Sequence, residues 1–200
     1  GFFGEEMHEY FRRGANRFLK PVSCIEGNHE DHGELTNLAD RFADVVTYLP
    51  RGSICELGTQ RGLCLGGARY MDAWSTPRGC EITDADLDAC LAHAPGAVDI
   101  MLSHDCPADI GMPNTPGLEY YGKPGVPEMA RLADHFAPRL WFFGHHHRWF
   151  DLQREGTRYI GLPQSWSGYA LLHPDGEVDL VRNEVATGSR SRWRRWLGLK

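Results

Sequence analysis

The sequence has no run of apolar residues that approaches the length of a membrane span, and no leader-like charged and apolar segment opens it. Internal repeats and low-complexity segments are also absent. At 200 residues, 42% hydrophobic and 24% charged, the chain has the composition of an ordinary globular domain rather than a disordered segment. The sequence therefore predicts one folded domain over residues 1–185, followed by a basic tail over 186–200, and no transmembrane segment.

The six cysteines are scattered singly, and no Cys-x-x-Cys pair indicates a zinc cluster. In a chain of this length, that arrangement favours reduced and mostly buried thiols over a disulfide framework. We therefore predict a cytoplasmic protein.

Apolar periodicity and turn residues predict alternating helices and strands up to about residue 143. The predicted helices cover 5–19, 34–43, 84–92 and 127–136, and the predicted strands cover 22–25, 45–48, 53–57, 63–66, 98–102 and 140–143. Two hairpins follow, turning at Arg154-Glu155-Gly156 and at Pro174-Asp175-Gly176. This order predicts an α/β fold, a two-sheet β-sandwich flanked by helices.

Three short polar islands each follow an apolar run. They are Gly27-Asn28-His29-Glu30, Ser103-His104-Asp105 and Gly144-His145-His146-His147. Each island is expected where a strand stops and a loop begins, which is where α/β proteins place their functional groups. A single string of four residues arises by chance, but three such islands in this order predict one metal site.

These islands resemble the motifs of the calcineurin-like metallophosphoesterase family: Gly-Asn-His-(Asp/Glu), an isolated His after a strand, and Gly-His-x-His. The segment from Ser103 to Pro107 also resembles the frequent Thr-His-x-x-Pro of this family. The resemblance covers about residues 21–170. It implies a metallophosphoesterase-like α-β-β-α fold and two divalent metal ions, with Mn²⁺ favoured and Fe or Zn as alternatives.

The resemblance also implies a role for each histidine island. The residues that match Asn28, His104 and His145 hold one metal ion, and the residue that matches His147 helps to hold the other. The residue that matches His29 is not a ligand but a general acid or electrostatic helper. Because residues two apart in an extended segment face the same way, His145 and His147 are expected to reach one site while His146 points elsewhere.

The remaining histidines are expected to be surface or hydrogen-bonded core residues. They are His8, His32, His93, His135, His146 and His173. Glu30 and Asp31 are candidates for hydrogen bonds that orient the metal-binding histidines, and Asp105 has either that role or a loop-capping role. The pair Gly66-Gly67 predicts a tight backbone turn in preference to a phosphate cradle.

Two motifs of the family have no counterpart here: the Asp-x-His motif of its first strand and the Gly-Asp motif that follows some thirty to forty residues later. The chain begins at Gly1 and reaches Gly27-Asn28-His29-Glu30 after one helical pattern. We interpret the sequence as a fragment whose first strand or strands lie upstream. The alternative is a degenerate family member that has lost half of its site.

The function implied by the resemblance is hydrolysis of a phosphodiester or phosphomonoester by a metal-activated water. Two divalent cations about 3.5–4 Å apart can neutralise the phosphoester charge and turn a bound water into hydroxide near neutral pH. The alternative is a non-catalytic binding module on the same fold. The family includes protein phosphatases, nucleotide phosphodiesterases, nucleases and lipid-headgroup hydrolases, so the fold does not select the substrate.

Two loops and the tail could add selectivity. The segment 105–125 is either a substrate-facing wall or an ordinary Pro-rich connection. The residues that would face the substrate are Met112, Tyr120, Tyr121 and Lys123. A second loop of the same character carries Arg69, Tyr70 and Trp74. The tail 190–200 holds five basic residues and no acidic one. This tail suits RNA or an anionic membrane, although Trp193 and Trp196 could instead pack back onto the domain.

Overall fold

The computed structural model describes residues 18–183 except 31, 34, 73 and 77, and leaves the side chains of 38 and 39 undescribed. Ten strands lie in this part of the chain: β1 (Ser23–Cys24), β2 (Thr47–Tyr48), β3 (Ile54–Leu57), β4 (Gln60–Leu65), β5 (Ile100–Ser103), β6 (Leu140–Phe143), β7 (Phe150–Arg154), β8 (Thr157–Gly161), β9 (Gly168–Leu172) and β10 (Val178–Arg182). The α-helices among the described residues are α1 (Leu35–Arg41), α2 (Asp84–Leu91) and α3 (Ala130–Phe136). A 3₁₀ turn, Pro127–Met129, leads into α3.

The predicted elements that fall on described residues are confirmed, with boundaries that shift by a few residues. Helix α2 begins with the predicted capping box, since the Thr83 side chain accepts from the Asp86 backbone N–H and the Asp86 carboxylate accepts from Thr83. Both hairpins form, as β7–β8 and β9–β10. The predicted helix over 5–19 lies almost entirely outside the described residues, and the tail 186–200 lies wholly outside them.

A six-stranded mixed sheet, ordered β3-β4-β5-β6-β8-β7, forms the centre of the fold. Strands β4, β5, β6 and β8 are parallel, and β3 and β7 pair antiparallel at the two edges. Helices α2 and α3 lie in the crossovers from β4 to β5 and from β5 to β6, the usual way in which a chain joins parallel strands. The sheet thus has the βαβ connectivity that the alternating sequence pattern predicts.

The two faces of this sheet bury alternate residues of its strands. One face packs Met101, Trp141 and Phe143 against residues of α2 and α3. The opposite face packs Leu140 and Phe142 among residues of the β9–β10 hairpin. Because side chains alternate across a strand, β5 and β6 supply residues to both faces of the sheet. The result is the predicted α/β sandwich with outer helices.

Strands β1 and β2 form a separate two-stranded parallel sheet, which carries the loop with Asn28. A small core packs against β1 and β2 residues and consists of Leu35 from α1 and of Phe42 and Val46 from the segment between α1 and β2. Among the described residues, no helix has the length and apolar character needed to cross a membrane.

The carboxyl ends of the parallel strands meet at one edge. The N–H of His104, after β5, donates to the carbonyl of Leu65 at the end of β4, and the N–H of Gly144, after β6, donates to His104. The β1 side joins the same edge because Gly67 donates to the Glu26 carbonyl. The three polar islands are therefore brought together by backbone hydrogen bonds.

Candidate metal centre and substrate cavity

Three of the predicted metal ligands converge at this edge. The amide oxygen Oδ1 of Asn28 lies 2.9 Å from Nε2 of His104 and 3.2 Å from Nδ1 of His145. The two ring nitrogens are 3.3 Å apart. Three lone-pair donors thus point at one small volume, although the residues are up to 117 positions apart in sequence.

The orientation of Asn28 is fixed from the other side. Its amide nitrogen donates to the carbonyl oxygen of Ser75, so the amide oxygen must face the histidines. Asn28 is itself buried, with 5% of its surface exposed. Gly27 lets the loop approach the His104 ring, since a Cβ at this position would lie 3.0 Å from Cε1 of that ring.

Both histidines are in the protonation state that a metal ligand needs. Burial, reinforced by the neighbouring His145, lowers the pKa of His104 to about 3. Burial likewise lowers the pKa of His145. Each ring is therefore neutral near pH 7 and has a nitrogen lone pair to offer.

Two imidazole nitrogens and one amide oxygen fit a borderline divalent ion such as manganese, iron or zinc. These three donor atoms converge on one point and can therefore hold one ion. The predicted ligand of the other ion, His147, lines the same cavity, but its contact among the described residues is with Gln164, at 3.4 Å. The geometry therefore assembles one donor set and leaves His147 beside it.

The prediction of an extended segment at 145–147 was wrong. His145 and His147 both have left-handed backbone conformations, with φ of 38° and 53°. His146 does not point out to solvent, because its Nε2 donates to the Asp105 carboxylate at 3.0 Å and only 10% of its side chain is exposed. His146 is a hydrogen-bonded interior residue, one of the two environments predicted for it.

Asp105 joins three segments around the ligands. Its carboxylate accepts from the backbone N–H groups of Arg69 and Cys106, at 3.0 and 2.8 Å, and from His146. Burial alone would raise the pKa of Asp105, but the His146 hydrogen bond and the nearby His145 hold the pKa at about 2. The carboxylate is ionised and accepts three hydrogen bonds. Asp105 therefore orients the loop that carries His146 and also caps the loop in which it lies itself.

Asp105, Cys106 and His146 also lie close enough to be considered as a metal-binding group, with their donor atoms within 4.8 Å of one another. Burial raises the pKa of the Cys106 thiol. Since the Asp105 carboxylate is already bonded to three donors, we interpret this group as support for the adjacent loops.

His29, the predicted general acid, lies at the mouth of the site. Its side chain is exposed, lines the cavity and has no hydrogen-bond partner among the described residues. For the predicted orienting groups, Asp31 lies outside the described residues, and the Glu30 carbonyl accepts from the Cys80 thiol at 3.3 Å.

A buried ionic network that the sequence did not predict supports the Asn28 loop. Glu26, which is 1% exposed, accepts from Arg51 at 2.5 Å and from the hydroxyl of Tyr48 at 3.1 Å. Arg51 also pairs with Asp86 at 2.9 Å. The network thereby joins the loop after β1 to the turn before β3 and to the start of α2.

The predicted turn at Gly66-Gly67 belongs to this network. Gly67 has a φ of 80°, as a tight turn requires. A Cβ at Gly66 would lie 2.1 Å from the Glu26 carboxylate, so the glycine makes room for a charge as well as for a turn.

A cavity of about 480 Å³ opens next to the ligands. Its walls include Arg69 and Trp74 from one loop and Tyr121 and Lys123 from segment 105–125. Met112 was wrongly predicted to face the substrate, since it is 8% exposed and belongs to the main core. The two loops touch each other through a hydrogen bond from the Tyr121 hydroxyl to Asp72.

The other histidines and the cysteines agree with the sequence analysis. The ring nitrogens of His93 and His135 bond backbone carbonyls, those of Gly52 and His93. The ring of His173 bonds the Asp179 carboxylate, and that of His32 contacts the Arg51 guanidinium. His8 lies outside the described residues. All six cysteines are free, and four of them are buried.

Comparisons with known proteins agree with this geometry. A sequence model described as calcineurin-like phosphoesterase matches residues 2–149. The chain belongs to this family. Proteins of the family generally bind two divalent metal ions, and their chemistry is of the phosphoester-hydrolase type.

Solved structures match the chain at low sequence identity, and those with a TM-score of 0.50 or more share its fold. One matches with a TM-score of 0.59 at 10% identity, over 90% of this chain and 72% of that one. The protein TT1561 of Thermus thermophilus matches with a TM-score of 0.50 at 15% identity, over 81% and 72% of the two chains. The sulfate thiohydrolase SoxB of Thermus thermophilus matches with a TM-score of 0.47 at 12% identity, over 80% and 32%. A search of curated proteins finds no significant match.

Proposed function

We propose that this protein is a metal-dependent phosphoesterase that hydrolyses a phosphodiester or phosphomonoester, with His29 as the general acid. The observation that carries the proposal is the convergence of Asn28, His104 and His145 on one volume at the strand ends. Two members of this donor set, Asn28 and His145, line a cavity large enough for a small-molecule substrate.

Bound divalent ions would neutralise the phosphoester charge and supply hydroxide near neutral pH. The residues of the chain have separate tasks around them. Asn28, His104 and His145 would hold one ion, and His147 would contribute to the other. Their neutral rings and the fixed amide need no reorganisation, because the Ser75 carbonyl and the buried strand ends already set their positions.

His29 is suited to protonate the departing oxygen. It is adjacent in sequence to Asn28, faces the cavity, and has no hydrogen-bond partner among the described residues that would occupy its ring nitrogens. A general acid must lie within hydrogen-bond reach of the leaving oxygen, and an exposed ring at the cavity mouth can meet that requirement.

The first experiment measures metal content and turnover together. The chain is reconstituted with Mn²⁺ and desalted, and its metal is counted by elemental analysis, with hydrolysis of p-nitrophenyl phosphate and bis-p-nitrophenyl phosphate assayed in parallel. His104→Ala should abolish metal retention. His29→Ala should keep the metal and lower kcat by about 10²-fold or more.

His93→Ala is the matched control, because His93 bonds a backbone carbonyl away from the cavity and should change neither quantity. Equal kcat for His29→Ala and the parent chain would remove His29 from the mechanism. Absence of both bound metal and hydrolysis in the parent chain, and also in the protein with any upstream segment restored, would contradict the proposed function.

The second candidate is a binding module on the same fold. It is favoured by one observation: among the described residues, the donor atoms that converge suit a single ion. A protein that retains one metal ion and hydrolyses neither substrate, even with any upstream segment restored, would support this alternative.

A further inference from the structure

Two arginines line the cavity without a negatively charged partner. Arg69 and Arg148 are half-buried, and neither has a carboxylate within ion-pair distance among the described residues. Elsewhere in the described chain, Arg51, Arg131 and Arg158 all pair with carboxylates. The two cavity guanidinium groups therefore carry charge that no carboxylate of the described residues neutralises.

Both groups are nevertheless held in place. The guanidinium of Arg69 donates to the carbonyl of Lys123 at 3.1 Å. That of Arg148 donates to the hydroxyl of Thr115 at 3.1 Å and to the carbonyl of Pro113 at 3.4 Å. Because each guanidinium has five N–H donors, these neutral acceptors fix its position and leave donors free to bind an anion.

The other charges that face the cavity do not cancel these two. Lys123 is paired with Asp109 at 2.7 Å. The Asp105 carboxylate lines the cavity but is 1% exposed and already accepts three hydrogen bonds. The chain as a whole has a formal net charge of −6, so this cavity is a local reversal of charge that would attract an anionic ligand.

The arginines come from the loops, whereas the metal ligands come from the strand ends. A scissile phosphoryl group would lie at Asn28, His104 and His145, and the cavity of about 480 Å³ has room for more than that group. We propose that Arg69 and Arg148 bind a second anionic phosphate group of the substrate, so that the preferred substrate class is a phosphoester with two phosphate groups. This inference rests on the proposed function for the identity of the first phosphate.

The test compares two ligands that differ by one phosphate, fructose 6-phosphate and fructose 1,6-bisphosphate. Each is titrated by calorimetry into the Mn²⁺-loaded chain carrying His29→Ala, a change that slows hydrolysis. The bisphosphate should bind about tenfold more tightly or better, since guanidinium–phosphate hydrogen bonds are charge-assisted. Equal binding of the two ligands would overturn the inference.

Arg69→Gln and Arg148→Gln, each added to the same background, should remove most of the preference and change the affinity for the monophosphate by less than about twofold. Arg131→Gln has the same change of charge on α3, away from the cavity, and should leave the preference intact. Arg148→Lys keeps the charge and should retain part of the preference. Equal weakening of both ligands would show that the arginines hold the scissile phosphate, and the inference would fail.

The two proposals fail separately. A chain that hydrolyses no phosphoester but prefers the bisphosphate through Arg69 and Arg148 keeps the phosphate-binding role of the two arginines and loses the proposed function. A chain that hydrolyses phosphoesters but does not prefer the bisphosphate keeps the proposed function and loses this inference.

Discussion

The two sides of the cavity are built in different ways. On the strand-end side, parallel strands and backbone hydrogen bonds position Asn28, His104 and His145, and buried carboxylates support the loops behind them. On the loop side, the half-buried Arg69 is held by a hydrogen bond to the carbonyl of Lys123 in the other loop, and the side chain of Trp74 is exposed.

This difference separates two requirements of a hydrolase. Metal ligands must be held within a few tenths of an ångström, and buried strand ends provide that rigidity. Groups that select a substrate can lie on loops, where substitutions are tolerated. The comparison predicts that damage to the strand-end side lowers stability or metal binding, whereas damage to the loop side lowers substrate affinity.

The largest effect is expected at the buried ion pair behind the Asn28 loop. Arg51→Met leaves the Glu26 carboxylate buried and without its main partner, and should lower the free energy of unfolding by about 3–5 kcal/mol. Urea unfolding measures this change. Arg131→Met, at a surface ion pair, should lower it by less than about 1 kcal/mol.

The double substitution Glu26→Met with Arg51→Met should lose less stability than Arg51→Met alone, because it leaves no unpaired buried charge. If Arg51→Met and Arg131→Met destabilised the protein equally, the Glu26 network would not be what holds the strand-end side rigid.

The next effect concerns the metal ligands rather than the whole fold. Asp105→Asn weakens the hydrogen bond from His146 and removes the charge behind the His145 loop, and should lower Mn²⁺ affinity by about 10- to 100-fold. A competition titration with a metal indicator gives the affinity. Asp109→Asn changes an exposed carboxylate bonded to Lys123 and should leave Mn²⁺ affinity unchanged; an equal loss in both variants would refute the role of Asp105.

The same contrast explains what the sequence could predict. Asn28, His104 and His145 could be identified because each follows an apolar run, and strand ends in an α/β fold meet at one edge. The prediction of an extended segment at 145–147 failed, since His145 and His147 have left-handed backbone conformations, and local sequence does not show that the His146 ring bonds Asp105.

The supporting groups were missed for a physical reason. Arg51 lies 25 positions from Glu26, follows a proline, and has the appearance of a surface turn residue in sequence. Its partner carboxylate directly precedes Gly27, and the adjacent glycines at 66 and 67 leave the space that both side chains occupy. Local patterns contain no information on such long-range pairing, although a charged residue next to a ligand motif is a usable signal.

The smallest effect is expected where the two cavity loops touch. Tyr121→Phe removes the hydroxyl that donates to Asp72, and Asp72 in turn accepts from the backbone N–H groups of Trp74 and Ser75. The loop side should become less ordered while the metal ligands stay in place. We therefore expect KM to rise by about two- to fivefold with little change in kcat, because one hydrogen bond contributes about 0.5–1.5 kcal/mol.

Steady-state kinetics with the better of the two nitrophenyl substrates measures this split, and elemental analysis checks that metal content is unchanged. Tyr120→Phe is the matched control, since Tyr120 is 73% exposed and its hydroxyl has no hydrogen-bond partner among the described residues. Ser75 links the two sides, because its carbonyl also accepts from Asn28. A fall in kcat or metal content for Tyr121→Phe would therefore show that disorder in the loop reaches Asn28, and the two sides would act as one unit.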